Sequence, residues 1–320
     1  MLLNEIYKIY TKSGYSSAKE ISVSKPKEYF YLALMAYSEN NFVDALKFAQ
    51  CAIDNNTENI VFIQGYQYLK ALISSKKNGA YIDDKGFEAF INNGSNILLY
   101  NETVSALREV YLQYRQMFSL FDVGAGDGRA LLPALTRNIK HLGFLEPAKG
   151  MYDRLYSKLE SINSFHFESH CDTFQNFIKK NKASNSNWDV VQATYSFQSL
   201  SLSERLDSFK WLNKHSGRVI ITEFDVPKFE SMFHPDRYKY IIKRYRKGLR
   251  EYSVYRNIVA QGFLMPVMFG YFDKSLNRVN YEQPISDWVG DLNQSGFKKV
   301  KTKLLYNYWW ASAYMIDAST

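Results

Sequence analysis

Residues 118–146 constrain this chain more than any other stretch. The apolar run Phe118, Leu120, Phe121, Val123 ends in Gly124, Gly126 and Gly128, and Leu131, Leu132 and Leu135 follow at helix-compatible spacing. A second apolar run closes on Glu146. Strand, glycine turn, helix, strand is one βαβ unit. Glycine is needed where the backbone turns sharply and a ligand must approach without a Cβ in the way. Glu146 stands about 20 residues beyond the glycines, the spacing at which an acid bonds a ribose in nucleotide-binding units. The bland alternative is an ordinary tight strand–helix turn. A dinucleotide fingerprint would place its third glycine one residue later than Gly128.

Asp122 precedes the first glycine by two. The string Asp122-Val123-Gly124-Ala125-Gly126-Asp127-Gly128 resembles the first motif of class I S-adenosylmethionine-dependent methyltransferases, and Glu146 resembles that family's second-strand acid. The resemblance implies S-adenosyl-L-methionine as cofactor. Asp122, Gly124, Ala125, Gly126 and Gly128 would surround its methionine and ribose parts, with Glu146, followed by Pro147, on the ribose hydroxyls. It also implies an α/β, Rossmann-like fold with a seven-stranded mixed sheet.

The 320 residues suffice for two domains, and 46% hydrophobic content provides a sizeable core. Cys51 and Cys171, far apart, argue against a disulfide framework and fit a reducing compartment. The N-terminus is charged after three residues, unlike a secretory signal, and no apolar run approaches a membrane span. The expectation is a soluble, cytoplasmic protein without a membrane partner. Net charge is +8, so the location of that charge bears on the partner.

Residues 1–100 read as an all-α N-terminal domain. Tyr29, Leu32, Ala33 and Ala36 form one helical stripe, Ala45, Leu46, Ala49 and Ala52 another, with Asn40-Asn41 between them. The pair resembles one tetratricopeptide-type hairpin, without that repeat's closing proline. Stacked repeats need at least about three units, which favours a helical cap that packs on the next domain or forms a homodimer. A loop at 76–79 and a short helix at 85–91 follow. Asn101 is expected to cap a helix running to Gln116.

Beyond Glu146, the segment 165–168 alternates as a short third strand. Asp172 follows it; the resemblance implies contact with the adenine amino group, with Thr173 and Phe174 beside it at the cofactor, while the local reading is a cap for a helix from Thr173. The fourth strand ends at Ala193, and Thr194-Tyr195-Ser196-Phe197-Gln198-Ser199 resembles the family's turn facing the methyl group, with Gln198 and Ser199 where histidines are frequent. A fifth strand ends at Glu223. Gly124, Glu146, Asp172, Tyr195 and Glu223 would then share the carboxyl edge of the sheet, where open α/β sheets bind ligands. A helix over 285–295 and a closing strand pair complete the chain.

Residues 228–283 read as a helical lid inserted in the methyltransferase domain, 101–320. Its first half has nine basic residues against three acidic ones. Ile241, Tyr245, Leu249 and Tyr252 form an apolar stripe opposite Lys243, Arg246, Lys247 and Arg250. Phe263, Met265, Met268, Phe269 and Tyr271 are expected to face a substrate pocket.

The sequence therefore points to methyl transfer onto a small molecule, with Tyr195, Gln198, Glu223 and His234 as catalytic candidates and no metal. Each has a structural alternative: Tyr195 packing on the cofactor, His234 beside Pro235 in a surface turn. A macromolecular substrate, RNA or protein, held by the basic helix is the competing reading; nucleic acid is disfavoured because the tyrosines lie opposite the charges. A non-catalytic cofactor-binding scaffold is the third.

Overall fold

The computed structural model describes residues 2–54, 58–75, 83–162, 166–181, 187–278 and 280–320. The loop expected at 76–79 lies outside the described residues. The chain divides into two compact units. One comprises Met1–Ile97 with Phe229–Asn277, the other Leu98–Lys228 with Arg278–Thr320.

The second unit holds a single sheet of seven strands: β1 (Phe118–Val123), β2 (Ile139–Leu145), β3 (Phe167–His170), β4 (Trp188–Thr194), β5 (Ser216–Phe224), β6 (Lys299–Asn307) and β7 (Ser312–Ser319). Their order is β3-β2-β1-β4-β5-β7-β6. β1 to β5 are parallel, and β7 runs antiparallel between β5 and β6. This is a seven-stranded mixed sheet, as the sequence resemblance implied. β1, β2, β4 and β5 are buried along most of their length because helices cover both faces. Phe121, Val191, Ile221 and Trp288 pack on one face. Leu120, Phe144, Val190 and Ile220 pack with Leu107, Val110 and Tyr111 on the other. The edge strand β6 exposes Lys299, Lys301 and Lys303, charges that discourage further strand pairing.

The helix expected from Asn101 instead spans Asn96–Leu112, with Asn101 in its exposed interior. Gly94, at φ 60°, breaks the preceding segment, and the next helix begins two residues later. The Asn96 amide is buried and donates to Phe90 O and Tyr252 Oη, both at 2.8 Å. Ser201 and Glu204 make a reciprocal capping box that starts the helix Leu202–His215.

The first unit is helical and built from two distant stretches of chain. Its central helix, Pro26–Ser38, is buried all round from Phe30 to Tyr37 rather than along one stripe. Phe30 stacks on Phe62, Tyr31 packs on Tyr238, and Tyr37 meets Phe269 edge-on at 4.8 Å. The Tyr238 hydroxyl donates to Lys27 O at 2.7 Å. Gly86 and Gly262 allow two backbones to touch; a Cβ on Gly86 would lie 2.6 Å from Gly262 Cα.

The segment read as a lid therefore gives residues 229–277 to the core of the helical unit. Met265, Met268 and Phe269 are fully buried there, and Phe263 lies 4.3 Å from Phe90. The expectation that these side chains face a pocket is corrected: the N-terminal helices consume them. Pro266 sits at the start of the helix Met265–Gly270, after a π-helical turn over Ala260–Leu264. The proline's missing N–H costs little at that position.

Candidate functional site

The three glycines after β1 have positive φ, 72°, 58° and 80°, a region closed to most side chains. They differ in what surrounds them. A Cβ on Gly124 would meet Ser196 Cβ at 2.5 Å, and one on Gly128 would strike Leu155 Cδ1 at 2.5 Å. Both are glycine for packing. A Cβ on Gly126 would meet nothing within 4 Å. Gly126 is thus the loop glycine that opens onto free space, a cradle at the carboxyl end of β1.

Glu146, buried at the end of β2, holds this loop. One carboxylate oxygen accepts the Gly126 N–H at 2.8 Å and the other the Ala148 N–H at 2.8 Å. Gly124 and Ala125 both donate their N–H to Leu145 O, which ties the turn to β2. Pro147 is exposed beside Glu146. Asp122 is buried in β1 with Oδ1 unpartnered among the described residues. Burial pushes its carboxyl up to about 7, against the lowering influence of Gln192.

Asp172 lies at the end of β3 and is engaged locally. It accepts from Thr173 N and Asn176 Nδ2 and pairs with Lys180 Nζ at 2.6 Å. These donors, Lys180 first, hold its carboxyl down at about 2. The helix cap itself is Thr173, whose hydroxyl accepts the Asn176 N–H at 3.3 Å. Phe174, expected at the cofactor, instead packs into the core against Phe197 and Trp211, because it falls on the inward face of the helix it begins. Ala193 is likewise core, while Thr194 is half-buried with a hydroxyl that is unpartnered among the described residues.

The turn after β4 is strained. Tyr195 has φ 53°, a conformation that costs about 1–3 kcal/mol for such a side chain. Its neighbours fix it: the ring stacks on Phe224 at 4.8 Å, meets Tyr100 edge-on, and its hydroxyl bonds Thr103 Oγ1 at 2.8 Å. Burial raises its pKa far above the ordinary phenol range, so the phenol remains neutral. Ser196 Oγ donates to Val123 O at 2.7 Å and lies against Gly124, joining this turn to the glycine loop.

Glu223 is buried at the end of β5. Oε1 accepts the Gln198 N–H at 3.0 Å, and Oε2 has no partner among the described residues. Burial pushes the carboxyl up to about 8, with the Gln198 N–H opposing. Gln198 Nε2 in turn donates to Tyr195 O at 3.0 Å, and Gln198 O accepts the Tyr281 N–H at 2.7 Å. Arg205, itself buried, binds Tyr281 O, Gln283 Oε1 and Asp291 Oδ2 and lies over the Trp288 ring at 4.2 Å. The turn at 195–199 is therefore braced from two sides.

Asp122, Gly126, Glu146, Tyr195, Gln198 and Glu223 all come from the carboxyl ends of β1, β2, β4 and β5, as their order along the chain implied. His234 is part of the other, helical unit, where Nδ1 accepts the Asp236 N–H and caps the helix Pro235–Glu251. Sequence reasoning gave no role to Ser196, Thr103, Arg205 or Tyr308, whose ring stacks on Phe224 at 5.5 Å. A small residue opposite Gly124 was legible as part of the 194–199 string. The other three rest on contacts far apart in sequence.

No family model and no curated protein match the chain. Several solved structures resemble it. Magnesium protoporphyrin IX methyltransferase from Synechocystis PCC 6803, with bound SAM, is 11% identical, with 76% of this chain and 99% of that one covered, at a TM-score of 0.47. The cyclopropane synthase MmaA2 from Mycobacterium tuberculosis is 9% identical over 74% of this chain and 94% of that one, at 0.49. The pyocyanin biosynthetic protein PhzM is 13% identical over 96% and 76%, at 0.43.

Proposed function

We propose that the chain is an S-adenosylmethionine-dependent methyltransferase acting on a small molecule. The observation that carries this reading is the loop at 124–128, where only Gly126 of the three glycines borders free space and its N–H is fixed by Glu146. The residues fit the cofactor. Gly126 would leave room for its chain, Glu146 would meet the ribose hydroxyls, and Asp172 and Thr194 would supply acceptors further along the edge. When bound, the cofactor supplies an electrophilic methyl group on a sulfonium.

The chain's own contribution is positioning. The neutral Tyr195 phenol and the braced 195–199 turn would form a rigid wall for the acceptor. Glu223, protonated over much of the neutral range, is a positioning residue that holds Gln198 rather than a ready base. With Tyr195 and Glu223 both disfavoured as bases, the acceptor best suited to this site brings its own lone pair, as an amine or an already ionised oxygen does. The same reading places the protein in the cytoplasm. A homodimer formed through the helical unit is part of the same reading, which light scattering tests: a monomer at all concentrations removes that part.

Calorimetry tests the central claim. S-adenosylmethionine and S-adenosylhomocysteine should bind in the micromolar range, about −8 kcal/mol. Binding of NAD with neither of these two would overturn it.

A further inference from the structure

The helix Pro235–Glu251 presents Lys243, Arg246, Lys247 and Arg250 to solvent. Their spacing of three or four residues places them in one stripe. Among the described residues none of the four is ion-paired. The adjacent Glu251 carboxylate is occupied by Ser95, accepting its N–H at 3.0 Å and its hydroxyl at 2.5 Å. The four cations and Glu251 line an open depression of about 580 Å³. Like charges at this spacing repel within a helix, so an anion over the stripe would relieve a standing cost.

Directly beyond Arg250 the chain exposes apolar side chains. Val254 is 85% exposed, Ile258 51% and Tyr255 46%. Cationic stripe and apolar tip are contiguous in sequence and lie in the same helical unit. Isolated exposed apolar residues are ordinary, but a cluster rimmed by unpaired cations marks an interaction surface.

We propose that this end of the helical unit docks on an anionic membrane surface, with the basic stripe on lipid phosphates and Val254, Tyr255 and Ile258 entering the headgroup boundary. Charge complementarity selects an anion, and the apolar tip selects the kind. A nucleic-acid backbone would neutralise the stripe but offers no apolar layer for Val254 and Ile258, and only Tyr255 is available there to stack on a base. An acidic protein would need a hollow shaped to a projecting side chain, whereas a fluid bilayer needs none. Basic residues beside inserted apolar ones are the general recipe for surface attachment. This is docking, not spanning: no described helix is long and apolar enough to cross a membrane. The proposal does not depend on the methyl-transfer reading.

The test is co-sedimentation of the full chain with vesicles of phosphatidylcholine alone and of equimolar phosphatidylcholine and phosphatidylglycerol, at low and high salt. Binding is expected only to the anionic vesicles and should weaken with salt. The variant K243E/R246E/K247E/R250E should partition at least ~100-fold less, given roughly fivefold per cation. The variant V254S/I258S, which keeps every charge, should partition ~10-fold less. All six positions are exposed, and unchanged far-ultraviolet circular dichroism confirms that the fold survives. Failure of the wild type to sediment with anionic vesicles overturns the proposal, as does full binding by V254S/I258S. Salt-sensitive binding of an oligouridylate, lost on charge reversal without any vesicle binding, would make the stripe a nucleic-acid surface and also overturn it.

Discussion

Replacing Glu223 with Gln tests the buried carboxyl at the end of β5. Burial raises its pKa from 4.5 to about 8. A carboxyl whose folded pKa lies above its unfolded value contributes stability below the unfolded pKa, and loses it as pH rises through the folded one. The window here runs from 4.5 to about 8. At ~1.4 kcal/mol per pH unit its full width corresponds to ~4–5 kcal/mol. Local rearrangement around the ionised group relieves part of this, so a loss of ~2–4 kcal/mol is expected between about pH 5 and about pH 8. Gln has no proton to lose and keeps an oxygen for the Gln198 N–H. Asp122, raised to about 7, adds a slope of the same sign in both proteins, so their difference isolates Glu223. All five tryptophans, Trp188, Trp211, Trp288, Trp309 and Trp310, lie in the sheet unit. Urea unfolding followed by their fluorescence therefore reports that unit alone. The wild type should lose stability relative to E223Q as pH rises. Parallel pH dependences in the two proteins would refute the buried proton.

Gly126→Val should abolish S-adenosylhomocysteine binding in calorimetry, since it fills the free space and strains a φ of 58°. Glu146→Ala should weaken the same binding by ~1.5–3 kcal/mol, the range for a hydrogen bond to a charged group. Phe269→Ala should destabilise the helical unit by ~3–5 kcal/mol, measured by thermal melting in far-ultraviolet circular dichroism, because a cavity opens among Phe30, Tyr37 and Tyr68; cofactor binding should survive below the melt. Arg205→Ala leaves Asp291 without its buried cation and should cost ~3–5 kcal/mol in tryptophan-monitored unfolding.

The sheet was legible because its signals are local. Alternating or continuous apolar runs, the glycines at 124, 126 and 128, and the acid at 146 sit within single strands and turns. Chain order alone then brings strand ends to one edge. Local signals also misled. Thr173 and Phe174 both follow Asp172, but the helix turns Phe174 inward, so neighbourhood in sequence did not mean neighbourhood in the site. His234 beside Pro235 carried the chemistry of a base and the position of a cap, and its Nδ1 caps the helix Pro235–Glu251. The support of the 195–199 turn was illegible for another reason. Arg205 is a helical arginine like many others in sequence, and only the return of residues 281–291 to its side gives it partners.

The insertion shows where periodicity runs out. A stripe such as Ile241, Tyr245, Leu249 and Tyr252 states which side of a helix is buried, and all four are buried. It does not state what covers the stripe, because apolar burial is non-directional. The partner of Phe269 is Tyr37, more than 200 residues away in the chain, and no local pattern encodes that distance. The consequence bears on motion. A lid hinged at its own two ends would have to withdraw Phe269 from Phe30, Tyr37 and Tyr68, exposing aromatic surface at several kcal/mol. The chain crosses between the units three times, near residues 97, 228 and 277, so residues 229–277 belong to the core of the helical unit and not to a separately hinged flap.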